Sequence, residues 1–455
     1  MLHMGDEKMR KVLSAAVFTM VLGSLVLSAC SGGDGPSAKP PEAGKGGSSA
    51  KPVTLRMSWW GGETRHKATL KAIELYQSQH PNVKIEGEYG GFDGYLEKLT
   101  TQLAGRTAPD IIQIDIAYLG PFFKQTDLFV DFYTNKLVDL NGFDPNFLKS
   151  LSSPNGKLIG LPTGMNASSF YINKTLADQA GVDYSKQLTW DRLIEEGRKL
   201  QSKDKNMYLL NAPTGDIAPF IFEPYLFNLT GKGLINDDYT IGFDKDSLVK
   251  AFQYVSSLYE NNVIQPVADM VTVKSIWENP KWINNQAVGA LNWSTNYSPI
   301  KTAVPGKELI TVEYPSTKGV KNTGINVRPT NMLAVNANSK SVEESAKFVN
   351  WFLNDPEAVK ILGLERSIPA VESARKVLLD TNAIDKPFDN AVQYALKNQG
   401  ILQNAISQNG EIVKIETDTL SKVAYKALTP DKAAEEMIKA TNAKLEELKK
   451  KDNVK

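Results

Sequence analysis

The hydrophobic pattern of residues 53–81 changes from the period of a strand to that of a helix. Apolar side chains first alternate with smaller or polar ones, which predicts a strand with at least one buried face, at Val53, Leu55, Met57 and Trp59. After two glycines they recur at helical spacing, at Leu70, Ile73 and Tyr76. The segment therefore predicts a strand, a glycine turn and a helix that ends at Pro81.

The same succession then repeats. Residues 83–89 alternate and predict a second strand, and residues 90–94 form a second glycine-rich turn that leads into a helix. Residues 111–116 are an apolar run typical of a buried parallel strand. Strands that alternate with helices in this way predict an α/β fold with a parallel sheet and short connections.

In open α/β sheets, ligands bind at the carboxyl ends of strands, next to helix N-termini. In the first half of the chain this rule selects the two glycine turns and the end of the third strand, with the candidates Trp59, Trp60, Gly61, Gly62, Arg65, Phe92, Asp93, Tyr95 and Asp115. Adjacent tryptophans on a surface turn make poor core. We therefore interpret Trp59 and Trp60 as the floor of a ligand cleft; the alternative is a tryptophan pair that plugs a domain seam.

The second half of the chain offers further aromatic and polar candidates for a ligand site, namely Asn166, Glu223, Trp282, Asn292, Trp293, Tyr297 and Arg328. Residues 288–293 predict a short strand, and residues 168–173 and 276–285 predict a strand and a helix. The aromatic segment 220–229 is either a core helix or in part a cleft wall. Aromatic planes suit the C–H face of a sugar and planar polar groups suit its hydroxyls. The aromatic candidates exceed the needs of one site, so we expect about half of them in the core.

The first fifty residues carry a targeting pattern. Basic residues precede an uncharged apolar run at 12–26, which is shorter than the roughly 20 residues that span a membrane. The sequence that follows, LSAC, resembles the lipobox of bacterial lipoproteins, in which the cysteine is lipidated and becomes the mature N-terminus. The resemblance implies a signal peptide at 1–29 and a lipidated Cys30, within a flexible linker at 30–52. The alternative is an unprocessed anchor helix.

Composition narrows the class of function. The 455 residues suit two domains, and 52 basic against 51 acidic residues leave no basic excess for nucleic acid. One cysteine and three histidines disfavour a disulfide, a metal site and histidine-based catalysis. No nucleophile-elbow, zinc-protease, dinucleotide or phosphate-loop motif occurs, so we expect no cofactor and no bound metal.

Three ordered segments carry a resemblance to a known family. The chain contains WWGGETRHKATLKAIELYQSQHPNVKIEGEYGGFDGYLEKLTTQLAGRTAPDIIQID, then NGKLIGLPTGMNASSFYINKTLA, and later MLAVNANSKSVEESAKFVNWFLNDPEAVKIL. Together they resemble the family 1 extracellular solute-binding proteins of ABC sugar transporters. The ordered set carries the likeness, since no single motif in it is diagnostic.

The resemblance implies a fold and its boundaries. It implies an α/β fold of two lobes, of the type II periplasmic-binding-protein kind, with three hinge crossings and a sugar held in a cleft between the lobes. The N-terminal lobe would comprise residues 53–165 plus 333–369, and the C-terminal lobe 166–332 plus 370–455. The third crossing would lie at 367–370.

Three hypotheses of function follow. The first is a monomeric binding protein, lipid-anchored through Cys30 on the extracytoplasmic face of the cell membrane, that captures an oligosaccharide and delivers it to the transmembrane permease of an ABC transporter by hinge closure. The second is a secreted glycosidase-like enzyme, and the third is a surface adhesin. The first is favoured because acid/base and nucleophile signatures are missing while aromatics abound at strand ends. Arg65 and Arg328 would suit a uronic acid, but either could instead serve a structural ion pair.

Overall fold

The computed structural model describes residues 51–116, 119–123, 125–153, 155–320, 322–404 and 406–451. The predicted signal peptide at 1–29 and the predicted lipidation site Cys30 lie outside these ranges. Within them, none of the helices is both long and apolar enough to cross a membrane.

The strands of the described residues join into one continuous path of hydrogen-bonded neighbours. In chain order they are β1 (Val53–Trp60), β2 (Val83–Gly90), β3 (Ile111–Ile114), β4 (Leu161–Asn173), β5 (Tyr208–Asn211), β6 (Ala287–Trp293), β7 (Leu309–Val312), β8 (Val327–Val335) and β9 (Ile368–Pro369). Their spatial order is β2-β1-β3-β8-β4-β6-β5, and β7 and β9 also pair with β4.

Helices connect and cover these strands. In chain order they are α1 (Glu63–Gln79), α2 (Tyr95–Ala104), α3 (Leu119–Phe123), α4 (Pro145–Ser150), α5 (Lys174–Ala180), α6 (Trp190–Lys203), α7 (Thr214–Ile217), α8 (Glu223–Thr230), α9 (Lys245–Glu260), α10 (Val267–Met270), α11 (Pro280–Ile283), α12 (Tyr297–Thr302), α13 (Val342–Asn354), α14 (Pro356–Leu362), α15 (Glu372–Asp380), α16 (Lys386–Lys397), α17 (Gly410–Ala424) and α18 (Pro430–Lys451). Short 3₁₀ turns occur at Thr126–Leu128, Ile276–Glu278 and Ser294–Asn296, and a π-helical turn at Ala218–Phe222.

The path of strands consists of two half-sheets that share β4. Strands β2, β1 and β3 pair in parallel and β8 pairs antiparallel with β3, which with the start of β4 makes the first half-sheet. Residues 168–173 at the end of β4 pair instead with β6 and β7, and β5 pairs with β6, which makes the second half-sheet. A single strand with two different sets of neighbours therefore carries the chain from one half-sheet to the other.

Three segments meet at this junction. They are β4, β8 and β9, and β9 pairs with β4 at Gly164 and Met165. The pairing of β4 with β8 is irregular on both sides of Gly164. A Cβ atom at Gly164 would lie only 1.9 Å from the carbonyl oxygen of Arg366, so the close approach of these backbones requires glycine here.

The structure corrects two predicted elements. The strand predicted at 168–173 is the second part of the longer strand β4, because the chain is already extended and buried from Leu161, where it pairs with β8 instead of β6 and β7. The helix predicted at 276–285 is divided into a 3₁₀ turn and α11, since Asn279 adopts an extended conformation and caps α11, with its side chain accepting the backbone N–H of Lys281 at 3.0 Å. The strands and helices predicted between residues 53 and 116 are confirmed as β1, α1, β2, α2 and β3.

Candidate functional site

The turn after β1 places Arg65 at the start of α1. A Cβ at Gly61 would lie 2.6 Å from the Arg65 side chain, so this glycine leaves room for the arginine to fold back over the turn. The Arg65 guanidinium donates from Nε to the carbonyl oxygen of Glu365 at 2.8 Å and from Nη1 to that of Trp60 at 3.3 Å. Burial lowers the pKa of Arg65, and the Glu365 carboxylate opposes this shift. Gly62 lies in open space at the N-cap of α1.

Trp59 is not part of a cleft floor, and this prediction is wrong. Its indole is fully buried, stacks on Tyr89 at 4.9 Å between ring centroids, and donates from Nε1 to Nδ1 of His66 at 3.1 Å. The alternation of β1 places Trp59 on the same buried face as Leu55 and Met57. Gly87 completes the pocket, since a Cβ there would lie 2.6 Å from the indole.

Trp282 is likewise a core residue rather than a ligand contact. Its side chain is fully buried, and Nε1 donates to the carbonyl oxygen of Ile300 at 3.1 Å. This correction and that of Trp59 agree with the expectation that part of the aromatic set belongs to the core.

Trp60 faces the opposite side of β1 and belongs to an aromatic group at the edge of the first half-sheet. Its ring packs edge-on against Phe92 at 5.5 Å and Tyr95 at 4.9 Å. The hydroxyl of Tyr95 donates to the carbonyl oxygen of Gln113 at 2.9 Å, which fixes this group to β3. Trp60 is 8% exposed, whereas Phe92 is 51% exposed. Phe92 and the neighbouring Asp93, which is also exposed, are therefore accessible to a ligand.

The end of β6 forms a polar network. Asn292 donates from Nδ2 to Asp216 at 2.9 Å, and Asn166 accepts on Oδ1 the hydroxyl of Ser294 and the backbone N–H of Thr295, each at 3.2 Å. Burial raises the pKa of Asp216 to about 7, against the hydrogen bond from Asn292, which lowers it. The network therefore joins β4, β6 and α7.

Arg328 on β8 lies over the ring of Trp293, with Cζ at 4.2 Å from the ring centroid. Burial lowers the pKa of Arg328, and the charges of Asp115 and Glu223 oppose that shift. Four predicted site residues therefore interact here. Arg328 contacts Trp293, and it feels the charges of Asp115, which follows β3, and of Glu223, which begins α8. The guanidinium donates no hydrogen bond to any residue that the structure describes.

Glu223 belongs to a buried pair of carboxyl groups. It is 8% exposed, accepts a hydrogen bond from Nε2 of Gln403, and lies beside Glu416 on α17, which is 2% exposed. Burial raises the pKa of Glu223 to about 7, and burial together with the charge of Glu223 raises the pKa of Glu416 well above its ordinary value. Two buried carboxylate charges side by side would repel, so this pair favours a form that holds at least one proton.

A cleft of about 810 Å³ opens between segments of the two half-sheets. Arg65, Thr330 and Glu365 approach from the first side and Tyr297 and Lys301 from the second; the complete lining is Arg65, Asn166, Thr295, Tyr297, Ser298, Lys301, Thr302, Val304, Pro305, Gly306, Lys307, Thr330, Leu364, Glu365, Ser367, Ile368, Ala383, Ile384, Asp385 and Phe388. Tyr297, 5% exposed, stacks on Phe388 at 5.7 Å between ring centroids. Three predicted site residues, Arg65, Asn166 and Tyr297, therefore lie on one cleft.

Sequence reasoning missed Arg366, which is 3% exposed at the junction of the half-sheets. It donates to the side chains of Gln113, Asn331 at 3.2 Å and Thr69 at 2.9 Å, so it ties α1, β3 and β8 to the segment before β9. Burial lowers its pKa to about 9, and the neighbouring Arg65 adds to this effect. No sequence signal distinguishes it, since only the folded chain brings its partners together.

Asp216 was also missed, although a signal existed. It follows β5, so the strand-end rule that selected Asp115 would have selected it had a strand at Tyr208–Asn211 been predicted. Within the described ranges no group of three or more His, Cys, Asp or Glu side chains is placed to hold a metal ion.

Residues 60–359 match the family of bacterial extracellular solute-binding proteins. The chain belongs to this family. The structures that resemble it are periplasmic and extracellular solute-binding proteins, and the predicted fold class, an α/β fold of two lobes, is confirmed. The predicted lobe boundaries stay a prediction.

Solved structures and characterised relatives resemble the whole or part of the chain. A periplasmic oligogalacturonide binding protein from Yersinia enterocolitica is 29% identical, with a TM-score of 0.76 over 87% of this chain and 99% of that one. A de novo designed cysteine esterase is 29% identical, with a TM-score of 0.80 over 88% and 100% of the two chains. The arabinooligosaccharide-binding protein of Bacillus subtilis is 24% identical over 57% of each chain. The chain spans about half the length, 46%, of several other relatives that it matches.

Proposed function

We propose that this chain is the substrate-binding component of an ABC transporter, which captures an oligosaccharide outside the cell and delivers it to the membrane permease. The single observation that carries the proposal is the cleft of about 810 Å³ between the lobes. Its lining combines aromatic, amide, hydroxyl and charged side chains, which is the chemistry that recognises a polyol.

The relatives support an oligosaccharide as the ligand. The Yersinia protein, 29% identical, is named for oligogalacturonides, and the Bacillus protein, 24% identical, is named for arabinooligosaccharides. The volume of the cleft lies within the range of about 300–1,000 Å³ typical of small-molecule sites. A ligand held from both sides would favour the closed arrangement of the lobes, because only that arrangement completes its contacts.

The protein would act as a monomer that is tethered to the extracytoplasmic face of the membrane through a lipid on Cys30. The sequence LSAC and the preceding apolar run support this part of the proposal. Mass spectrometry of the protein purified from membranes should find a lipidated Cys30 at the mature N-terminus. An intact, unmodified N-terminus would contradict the anchor without affecting the binding function.

Titration calorimetry and thermal melting with a panel of neutral and acidic oligosaccharides test the binding function. A ligand at 100 times its Kd stabilises the folded chain by about 2.7 kcal/mol, which raises the melting temperature measurably. Lys301→Ala should weaken this binding, since Lys301 lines the cleft in an ion pair with Asp385. Lys414→Ala is the matched control, because Lys414 forms a similar exposed ion pair with Asp418 on α17.

Binding by no member of the panel would contradict the proposed function. Release of shorter sugars during incubation, followed by chromatography, would instead favour the glycosidase-like alternative.

A further inference from the structure

Arg65, Arg328 and Arg366 lie at or beneath the junction of the lobes, and none of them forms an ion pair within 4 Å among the residues that the structure describes. The three arginines differ in the hydrogen-bond acceptors of their N–H groups. Arg65 donates to two backbone carbonyls, and Arg366 donates to amide and hydroxyl side chains. Arg328 alone of the three donates no side-chain hydrogen bond within the described part of the chain.

Arg328 contacts the ring of Trp293, with Cζ 4.2 Å from the ring centroid. An aromatic ring gives a guanidinium a cation–π contact but no oxygen acceptor for its planar fork of N–H donors. Half-buried N–H groups of a cation are costly to leave without an acceptor. The two parallel donors of such a fork match the two oxygens of a carboxylate.

The acidic groups of the protein do not occupy this position. Asp115 and Glu223 act on Arg328 electrostatically, but neither lies within 4 Å of its nitrogens as an ion pair among the described residues. Glu223 is instead engaged by Gln403 and Glu416. The raised pKa values of Glu223 and Glu416 favour their neutral forms, which lowers the negative charge that an incoming anion would meet.

Arg328 does not itself line the cleft of about 810 Å³, but it pairs in register with Asn166 of β4, which does. We propose that Arg328 receives a carboxylate of the captured sugar where this cleft meets β8, so that the ligand of this chain is an oligosaccharide that contains uronic acid. This proposal rests on the proposed function and adds the chemical class of the ligand. On this proposal Arg328 is the specificity-determining residue, whereas Arg65, which also lines the cleft, supports the turn after β1 through its hydrogen bonds to the carbonyl oxygens of Trp60 and Glu365.

Titration calorimetry of the full chain at pH 6.5 tests the proposal with matched sugars. The probes are trisaccharides of galacturonic acid and of glucuronic acid, each compared with its carboxyl-reduced, neutral counterpart. We expect the wild-type chain to bind at least one acidic trisaccharide about tenfold or more tighter than its reduced form, as a charge-assisted bidentate contact implies. Added salt should weaken only the acidic ligand.

Variants assign that preference to one residue. Arg328→Gln should remove the preference for the acidic form while affinity for the reduced form changes little, and Arg328→Lys should retain part of it, because the charge remains and the fork is lost. Arg198→Gln is the control with the same change of charge, since Arg198 is exposed on α6 and its Nε donates to Asn261 at 2.7 Å. Thermal melts of each variant check the fold.

Each outcome separates the two proposals. Equal or tighter binding of the reduced sugars by the wild-type chain overturns the uronate proposal and leaves oligosaccharide binding intact, whatever the variants do. An acidic preference that persists in Arg328→Gln overturns the role of Arg328. Failure of every acidic and neutral oligosaccharide to bind contradicts the proposed function itself.

Discussion

The buried carboxyl pair Glu223–Glu416 makes the stability of the protein depend on pH in a defined direction. In the unfolded chain both groups lose their protons near pH 4.5, whereas burial raises the pKa of Glu223 to about 7 and that of Glu416 well above its ordinary value. Between these values the folded chain holds protons that the unfolded chain has released. The free energy of unfolding must therefore fall as pH rises through this window, and it is greatest below it.

The size of the effect follows from the same values. For Glu223 alone, folding raises the pKa from 4.5 to about 7, which corresponds to roughly 3 kcal/mol of stability. This contribution is fully present below pH 4.5 and is lost as the pH rises through about 7. Within the window each retained proton contributes a slope of about 1.4 kcal/mol per pH unit. Asp216 acts in the same direction, because burial raises its pKa to about 7 as well.

Thermal and urea unfolding at pH 5, 6, 7 and 8 measures this dependence. We expect the free energy of unfolding of the wild-type chain to fall steadily over the series. In Glu416→Gln the slope of this free energy against pH should be smaller by the contribution of about one proton, because the new amide can donate to the Glu223 carboxylate. Asp216→Asn is the parallel variant for the second buried carboxyl group. A wild-type stability that is flat or rises from pH 5 to 8, or a Glu416→Gln slope equal to that of the wild type, would refute the reasoning.

Two further substitutions distinguish hinge, core and cleft. Gly164→Ala should lower both stability and sugar affinity, because its Cβ would lie 1.9 Å from the Arg366 carbonyl oxygen. Gly410→Ala is the control and should change neither, since its Cβ meets open space. Equal effects of the two substitutions in calorimetry would count against the hinge assignment. Trp59→Ala should cost about 3–5 kcal/mol of stability in urea unfolding, as expected for a fully buried indole, and leave sugar affinity nearly unchanged; a large loss of affinity with normal stability would restore Trp59 to the cleft.

Local periodicity was sufficient to predict the elements of the first half-sheet, but our prediction of which way the Trp59 side chain points did not follow it. The succession β1–α1–β2–α2–β3 follows from apolar spacing within each segment, which is a property of neighbouring residues. The burial of Trp59 was also contained in the alternation of β1, where it shares a face with Leu55 and Met57. The glycine turn after Trp59 suggested that this side chain would be at the surface, but the last residues of a strand still alternate between its two faces.

The site itself depends on contacts that no local pattern encodes. Glu223 and Glu416 are brought together by the packing of α17, and the partners of Arg366 come from three separate elements. The strand-end rule still selected Asp115, and the strand predicted at 288–293 placed Trp293 at a strand end, because strand ends converge in any open α/β sheet. Which of these side chains face the cleft depends on twist and packing, and only the three-dimensional arrangement supplies that.

The most direct measurement is a crystal structure of the full chain with a bound uronic-acid-containing trisaccharide. The account predicts a sugar between the lobes, with a carboxylate against the guanidinium of Arg328 and hydroxyl groups within hydrogen-bond distance of polar side chains from both lobes. A sugar on the outer surface of one lobe, or one held between the lobes with Arg328 turned away from its carboxylates, would contradict it.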